Sequence, residues 1–128
     1  MKRQIVITAA VFGVLAVIAG AFGAHGLQKL ISAKYLEVWH TAVQYQFYHV
    51  FALLFLSTVT TFKPKSVLAI YWFFTLGIVC FSGSLYLLAV SDLLGWGWLY
   101  GMGPVTPFGG LLFITGWLAM GIAAFRNK

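Results

Sequence analysis

Four long apolar segments dominate this sequence and constrain its fold more than any other feature. They cover about residues 5–23, 41–62, 66–90 and 106–125. An α-helix needs about 20 apolar residues to cross the ~30 Å hydrocarbon core of a lipid bilayer, and each of the four segments is long enough. The sequence therefore predicts an all-α fold, an integral membrane four-helix bundle, with residues 1–128 forming a single four-span transmembrane domain.

The chain has too few charged residues to cover a surface that faces water. Only 8% of its residues are charged, whereas 62% are hydrophobic. A soluble domain carries roughly 25% charged residues. The composition therefore excludes a soluble globular enzyme, a disordered chain and a nucleic-acid-binding domain. We expect membrane lipids as partners, together with a second copy of the chain in a homo-oligomer or another membrane protein, and no nucleic acid.

The distribution of basic residues indicates how the chain is oriented in the membrane. The net charge is +6, and three pairs of basic residues flank the apolar segments. These pairs are Lys2 and Arg3, Lys63 and Lys65, and Arg126 and Lys128. With four spans, all three pairs lie on the same side of the membrane. Because cytoplasmic loops carry an excess of lysine and arginine, we expect both termini to be cytoplasmic.

Aromatic residues near the segment ends predict the positions of the two membrane interfaces, where Trp and Tyr are enriched. The outer aromatic belt is expected to comprise Trp39, Trp96, Trp98 and Tyr100, and Tyr71 and Trp72 lie nearer the inner interface. Two interpretations remain open for residues 26–39. They form either a short amphipathic helix at the outer interface or an extension of the second span.

The second apolar segment carries most of the polar side chains. At 100° per residue, one arc of this helix holds Glu37, His40, Thr41, Gln44, Tyr45, Tyr48 and His49. The opposite arc holds Trp39, Val43, Phe47, Val50 and Leu54, and Gln46 falls near the boundary. Because unpaired polar groups in hydrocarbon are costly, we expect the first arc to face the bundle interior and the second arc to face lipid.

Small residues occur on every segment and favour a tightly packed bundle. In the first segment they repeat at alternating spacings of three and four residues, which forms a stripe that lets another helix approach closely. The third and fourth segments are also rich in glycine. The residues expected at helix–helix contacts are Gly13, Gly20, Gly23, Gly83, Gly109 and Gly116.

Most polar side chains of the four segments fall in one layer in the outer half of the bilayer. With a rise of ~1.5 Å per residue, His49 lies about 12 Å below the outer end of its helix, and the polar residues of the third segment reach a similar depth. One hypothesis is an outward-opening polar pocket lined by His25, His40, Gln44, Tyr45, Tyr48, His49, Ser82 and Ser84. The alternative is that these groups only hydrogen-bond between helices and stabilise the bundle.

No set of residues meets the requirements of a metal or catalytic centre. His40 and His49 point in opposite directions on one helix, and pairing them with His25 or Cys80 gives only two ligands, too few for zinc. Ser82 and Ser84 could lie beside His49, but the sequence offers no third catalytic group. We therefore predict no catalytic residue, no metal and no cofactor in a protein that is not an enzyme.

Four sequence blocks, in this order along the chain, carry a resemblance to a known family. They are GAFGAHG at residues 20–26, WHTAVQYQFYH at 39–49, FSGSL at 81–85 and GPVTPFGG at 103–110. The chain resembles the domain-of-unknown-function 423 family of small bacterial inner-membrane proteins, which has a eukaryotic relative called transmembrane protein 256. The resemblance implies four spans and a multi-pass protein of the bacterial cell inner membrane, but no established activity, cofactor or catalytic residue.

Two hypotheses about function follow from these observations. The first is a non-enzymatic structural or accessory role in membrane integrity or in the support of a larger complex, which agrees with the link of some family members to membrane integrity and stress tolerance. The second is binding or transport of a small or lipid-like molecule through the outer-half polar pocket.

Overall fold

The computed structural model describes residues 1–97, 101 and 103–126, and it is all-helical over these residues. The helices are α1 (Lys2–His25), α2 (Ala33–Thr58), α3 (Pro64–Gly77), α4 (Gly83–Ala89), α5 (Ser91–Leu94) and α6 (Val105–Arg126). A 3₁₀ turn (Leu27–Lys29) follows α1, and a π-helical turn (Ile78–Ser82) joins α3 to α4. Trp98, Tyr100 and Lys128, which were assigned to the outer belt and to the C-terminal charge pair, lie outside the described residues.

Three helical stretches of the described chain are long and apolar enough to cross a membrane. They are Lys2–Lys29, Pro64–Ala89 and Val105–Arg126. The helix α2 has 26 residues but is not among the three. Its first half contains Lys34, Glu37 and several amide and imidazole side chains, so its sequence is the least apolar of the four long helical stretches.

Local sequence signals explain where the helices begin and end. Ser32 precedes α2, and its side chain accepts a hydrogen bond from the backbone N–H of Tyr35 at 3.4 Å, as expected of an N-cap. Pro64 occupies the first turn of α3, where its missing N–H costs nothing. Residues 33–39 belong to α2, so the second half of the 26–39 connection extends the second helix, and only the 3₁₀ turn precedes it.

The helices α1 and α2 pack antiparallel through the small residues of α1. A Cβ atom added at Gly13 would lie 3.7 Å from Val50, and one at Gly20 would lie 3.6 Å from Val43. At Gly23 the added atom would lie 2.8 Å from the ring of Trp39, closer than real Cβ contacts allow. The three glycines therefore set how closely α2 approaches, and Gly23 makes room for an indole ring.

The stretch from α3 to α4 packs antiparallel on α6 through alternating glycine and phenylalanine contacts. Phe113 of α6 lies against Gly77, and Phe81 of the π-turn lies with its backbone against Gly109. One turn beyond Phe113 on α6, a Cβ atom added at Gly116 would lie 2.6 Å from the ring of Phe74. Each phenylalanine thus occupies space that an opposing glycine leaves free.

Gly83 departs from the expected packing role. An added Cβ atom at this position meets no other atom within 4 Å, because Gly83 faces an open cleft between α1 and α4. The sequence pattern placed this glycine with the contact residues because glycine in a membrane helix is typical of close helix packing.

The expected orientation of α2 is wrong for most of its residues. Trp39 and Val50 are buried at 9% and 4% exposure, although both were expected to face lipid. Conversely, His40, Gln44, Tyr45 and Tyr48 are exposed on the outside of the helix bundle. Only His49 of the expected inward-facing arc is fully buried, and Gln46, assigned to the boundary, is buried at 3% exposure. The buried face of α2 repeats at three- and four-residue spacings and comprises Trp39, Ala42, Gln46, His49, Leu53 and Leu56.

Candidate functional site

Gln46 is the centre of a buried hydrogen-bond network between three helices. Its Nε2 donates a hydrogen bond to the backbone carbonyl of Phe12 in α1 at 2.7 Å. Its Oε1 accepts one from the hydroxyl of Tyr86 in α4, also at 2.7 Å. The amide has both a donor and an acceptor, so a single side chain links α2 to two neighbouring helices. An unpaired amide at this place would be costly in hydrocarbon.

Trp39 joins the same region to the outer part of α1. Its indole Nε1 donates a hydrogen bond to the backbone carbonyl of Ala19 at 2.8 Å. Its ring meets Tyr86 in an edge-to-face contact with centroids 4.6 Å apart, and Phe22 in another at 5.9 Å. Trp39 therefore packs between helices, whereas Trp96 is 47% exposed, and the membership of both in the outer belt stays a prediction.

His49 forms a second buried group one turn along the same buried face of α2, directed towards α6. Its ring stacks on Phe113 with centroids 3.6 Å apart. Nδ1 lies 2.7 Å from the backbone carbonyl of Tyr45, and Nε2 accepts a hydrogen bond from the indole of Trp117 at 3.0 Å. A carbonyl can only accept and an indole can only donate, so the geometry requires a neutral imidazole with its proton on Nδ1. Both ring nitrogens are thus occupied by partners in the protein.

The two serines near the π-turn also bond to neighbouring helices. Ser82 is fully buried and donates a hydrogen bond to the backbone carbonyl of Ala42 in α2 at 2.7 Å. The hydroxyl of Ser84 lies 2.5 Å from that of Thr106 in α6 and donates to the carbonyl of Phe81 at 3.0 Å. In these bonds the two serine hydroxyls have helix carbonyls and Thr106 as partners rather than His49.

An apolar cleft of about 530 Å³ lies between α1 and the α3–α4 stretch. Gln46, Trp39 and Tyr86 form part of its wall, but their polar groups are engaged in the hydrogen bonds described above. Most of the wall is hydrocarbon, and the cleft is partly open to the surroundings of the bundle. A cavity of this size and chemistry suits a hydrocarbon chain better than a polar molecule.

The eight residues expected to line one polar pocket lie in different environments. His25, His40 and Gln44 are exposed, as are Tyr45 and Tyr48 at 38% and 53%. The other three residues, His49, Ser82 and Ser84, are buried, and each is hydrogen-bonded to a helix backbone or side chain. None of the eight lines the apolar cleft. The outward-opening polar pocket therefore stays a prediction.

Sequence reasoning missed Gln46, Tyr86 and Trp117 as partners in the buried polar groups. The spacing of 39, 42, 46, 49, 53 and 56 along α2 is the three–four repeat of a helix face packed on its neighbours. The repeat can be read from the sequence. It was missed because the faces of α2 were ranked by their number of polar residues, and this criterion selected a different face. Within the described residues, no group of three histidine, cysteine, aspartate or glutamate side chains could hold a metal ion.

Comparison with known proteins shows that the sequence of this chain matches a protein family. A family model described as "Protein of unknown function (DUF423)" matches residues 19–110. UPF0382 membrane protein SSP2132 of Staphylococcus saprophyticus is 43% identical over 124 residues, which are 97% of this chain and 98% of the relative. UPF0382 membrane protein YwdK of Bacillus subtilis is 42% identical, with 97% and 98% covered. No solved structure matches the chain.

A relative in Escherichia coli strain K12 carries a more specific description. UPF0382 inner membrane protein YgdD is 40% identical over 130 residues, which cover 99% of this chain and 93% of the relative. The family model and the full-length relatives agree with the resemblance carried by the four sequence blocks. The chain therefore belongs to the DUF423 family of UPF0382 membrane proteins.

Proposed function

We propose that the protein crosses the membrane four times and has both termini in the cytoplasm. The support for a membrane-spanning α2 is its antiparallel contact with α1 over most of its length. Trp39 bonds to Ala19 near the end of α1, and Gln46 bonds to Phe12 in its middle. If α1 crosses the bilayer, a helix packed beside it along this length crosses the same layer.

Residue positions at the two ends of the bundle support this orientation. Lys2 and Thr60 line one recess, and Lys65 and Arg126 line another near it on α3 and α6. Asp92 and Ser32 share a recess at the other end. Lys2, Arg3, Lys63, Lys65 and Arg126 lie at the end that holds the N-terminus, whereas the other end has Lys29 and Lys34. The excess of basic residues is thus at the end that the positive-inside rule assigns to the cytoplasm. The E. coli relative is named an inner membrane protein, which supports the inner membrane as the location of this chain.

Single cysteines in a Cys80→Ala background test the number of spans. With an impermeant thiol reagent applied to intact cells whose outer membrane admits it, Ser32→Cys and Gly97→Cys are expected to react, whereas Thr60→Cys reacts only after the inner membrane is permeabilised. Position 60 distinguishes an α2 that spans the membrane from an α2 that lies on its outer surface, because a surface-bound α2 would leave residue 60 outside the inner membrane. Labelling of Thr60→Cys in intact cells would therefore contradict a spanning α2.

We propose a non-enzymatic structural or accessory role in the membrane as the function. The observation that carries this proposal is that the buried polar side chains of the described residues, apart from the hydroxyl of Thr75, bond to another helix or to a helix backbone. Gln46, His49, Ser82 and Ser84 each bond to a group on another helix or to a helix backbone. Groups used in this way fix the helices in one arrangement and leave little capacity to bind or transform a polar substrate.

The second candidate function is binding of a lipid-like molecule, and the apolar cleft beside Gly83 favours it. The cleft volume of about 530 Å³ corresponds to one long hydrocarbon chain, and its walls come from α1 and the α3–α4 stretch. This site differs from the polar pocket expected from the sequence, because its lining is apolar and none of the eight expected residues is part of it.

One complementation experiment separates these functions. Cells lacking the gene are expected to take up more of an impermeant dye after osmotic shock than cells that carry it. A structural role predicts that Gly83→Leu restores the barrier, since it adds a side chain only to open space. His49→Phe should restore it only in part, because the ring that stacks on Phe113 is kept but the acceptor for the Trp117 N–H is lost.

Lipid binding and a chemical role of His49 each predict a different pattern of rescue by the two variants. Leucine at position 83 fills part of the cleft, so loss of rescue by this variant alone would favour lipid binding. Complete loss of rescue by His49→Phe at a native membrane level and with native stability would favour a chemical role of the imidazole. Membrane levels of each variant are measured in parallel, and equal dye uptake with and without the gene would contradict a role in membrane integrity.

A further inference from the structure

We propose that the exposed polar face of α2 is the contact surface of a homodimer in the membrane. This face, here called the polar stripe, consists of His40, Gln44 and Tyr48, which follow one another at four-residue spacing. Phe51 and Phe55 continue the same face towards the cytoplasmic end, at 61% and 56% exposure. The inference rests on the proposed four-span arrangement, because that arrangement sets the depth of the stripe.

The polar groups of the stripe are not used inside the bundle. Across residues 1–97, 101 and 103–126, neither Gln44 nor His40 makes a side-chain hydrogen bond, in contrast to Gln46 and His49 on the buried face of the same helix. Tyr48 is 53% exposed, and its ring meets only that of Tyr45, with centroids 5.6 Å apart. The same helix thus satisfies one amide within the chain and leaves the other pointing outwards.

The depth of Gln44 follows from its neighbours in α1. Residue 14 is the middle of the apolar segment 5–23. Val43 lies beside Gly20, and the side chain of Gln46 reaches the carbonyl of Phe12, so Gln44 lies between these two levels of α1. At ~1.5 Å per residue, Gln44 lies within about 8 Å of the middle of the bilayer, well inside a hydrocarbon half-thickness of ~15 Å. Tyr48 lies at least as deep.

An amide that faces acyl chains at this depth has no hydrogen-bond partner. The cost of such a group is several kcal/mol relative to water when no partner is present. Polar residues in membrane helices therefore face protein or a water-filled cavity as a rule. Among the described residues no protein group covers Gln44, so the stripe requires a partner whose own hydrogen-bonding groups lie at the same level.

A second copy of this chain meets that requirement by symmetry. Two copies with the same orientation in the membrane are related by a two-fold axis along the bilayer normal, so each residue faces its own counterpart at an identical depth. An amide contains both a donor and an acceptor, and two Gln44 side chains can therefore form two reciprocal hydrogen bonds. The surrounding aromatic rings of Tyr48 and Phe51 supply the packing area of the contact.

Disulfide crosslinking in native membranes tests this contact without altering the stripe. In a Cys80→Ala background, Phe51→Cys places a thiol on the stripe face one turn from Tyr48. Val14→Cys on α1 and Ile114→Cys on α6 are matched controls, because both residues are exposed and lie at a comparable depth. With copper phenanthroline as oxidant, we expect a crosslinked dimer from Phe51→Cys and little from either control.

Replacing Gln44 by leucine tests the role of the amide directly. The substitution removes two interhelical hydrogen bonds of average strength, so we expect the dissociation constant of the dimer to rise about tenfold. This constant is measured by energy transfer between labelled copies in vesicles. The monomer fold should be unaffected, since the Gln44 side chain makes no hydrogen bond within the part of the chain that the structure describes. The helix content and melting of Gln44→Leu in detergent provide that control.

Each possible result supports or overturns a specific part of the proposal. Equal crosslinking at positions 14, 51 and 114 would mean random collision and would overturn the dimer. An unchanged dissociation constant in Gln44→Leu would overturn the contact through the Gln44 amide. A crosslinked product heavier or lighter than two copies would assign the stripe to a different membrane protein. If Thr60→Cys stays protected while Phe51→Cys does not crosslink, only the dimer fails; if Thr60→Cys is labelled from outside, the four-span arrangement fails.

Discussion

Replacing Gly109 by alanine is expected to lower the free energy of unfolding by about 3 kcal/mol. The added Cβ atom would collide with the backbone nitrogen and Cα of Phe81, as well as with its Cβ atom. A side-chain obstacle can rotate away, but a backbone obstacle can move only if the π-turn shifts relative to α6. Because α6 is held against this stretch by further glycine contacts, the shift would loosen several contacts together.

Alanine at Gly121 is the matched control for this effect. Gly121 lies in the same helix, and an added Cβ atom there meets no other atom within 4 Å. Alanine is a better helix former than glycine, so this variant should be as stable as the native protein or more stable by up to about 1 kcal/mol. Unfolding in mixed micelles with increasing denaturing detergent measures both variants, and similar midpoints for the two would contradict the backbone contact at Gly109.

Replacing Trp39 by alanine is expected to cost about 3 kcal/mol, at the lower end of the range for large aromatic residues. The substitution removes the hydrogen bond to Ala19 and the ring contacts with Tyr86 and Phe22. It also leaves a cavity beside the apolar cleft. The transfer of apolar surface from water contributes less here than in a soluble protein, so lost packing and the lost hydrogen bond account for most of the effect.

Two further tryptophan variants separate these contributions. Trp72→Ala removes an indole that is 48% exposed and contacts Tyr71, so it should cost much less than Trp39→Ala. Trp39→Phe keeps an aromatic ring but removes the N–H donor, and its cost should fall between the two. If Trp39 acted only as an interfacial anchor, Trp39→Ala and Trp72→Ala would reduce stability to the same degree in the mixed-micelle measurement.

The helical fold could be predicted from apolar length because the hydrocarbon core leaves few other ways to satisfy the backbone. The bounds of α1 and α6 differ from the expected segments 5–23 and 106–125 by only a few residues. The start of α2 at Ala33 was left open, since a surface helix and a continued span have the same residue pattern there. The membrane character and the family also follow from the sequence, and the relatives bear them out.

The orientation of α2 could not be predicted from polarity because this helix has polar residues on two faces. Gln46 and His49 lie on one face and Gln44 and Tyr48 on another, so their chemical types alone do not distinguish inside from outside. The decisive property is the partner on a neighbouring helix, such as the carbonyl of Phe12 for Gln46. Partners of this kind depend on three-dimensional packing, which a single sequence does not specify.

The π-turn between α3 and α4 has a consequence for sequence comparison and engineering. Its wider winding at Ile78–Ser82 accommodates about one residue more than an α-helical turn of the same rotation. A helical wheel drawn continuously from Pro64 to Ala89 therefore assigns positions beyond the turn to the wrong azimuth. Ser82 and Tyr86 must be phased separately from the residues before Ile78, and any graft or chimera that joins the two halves through a regular helix would rotate one of them away from its neighbours.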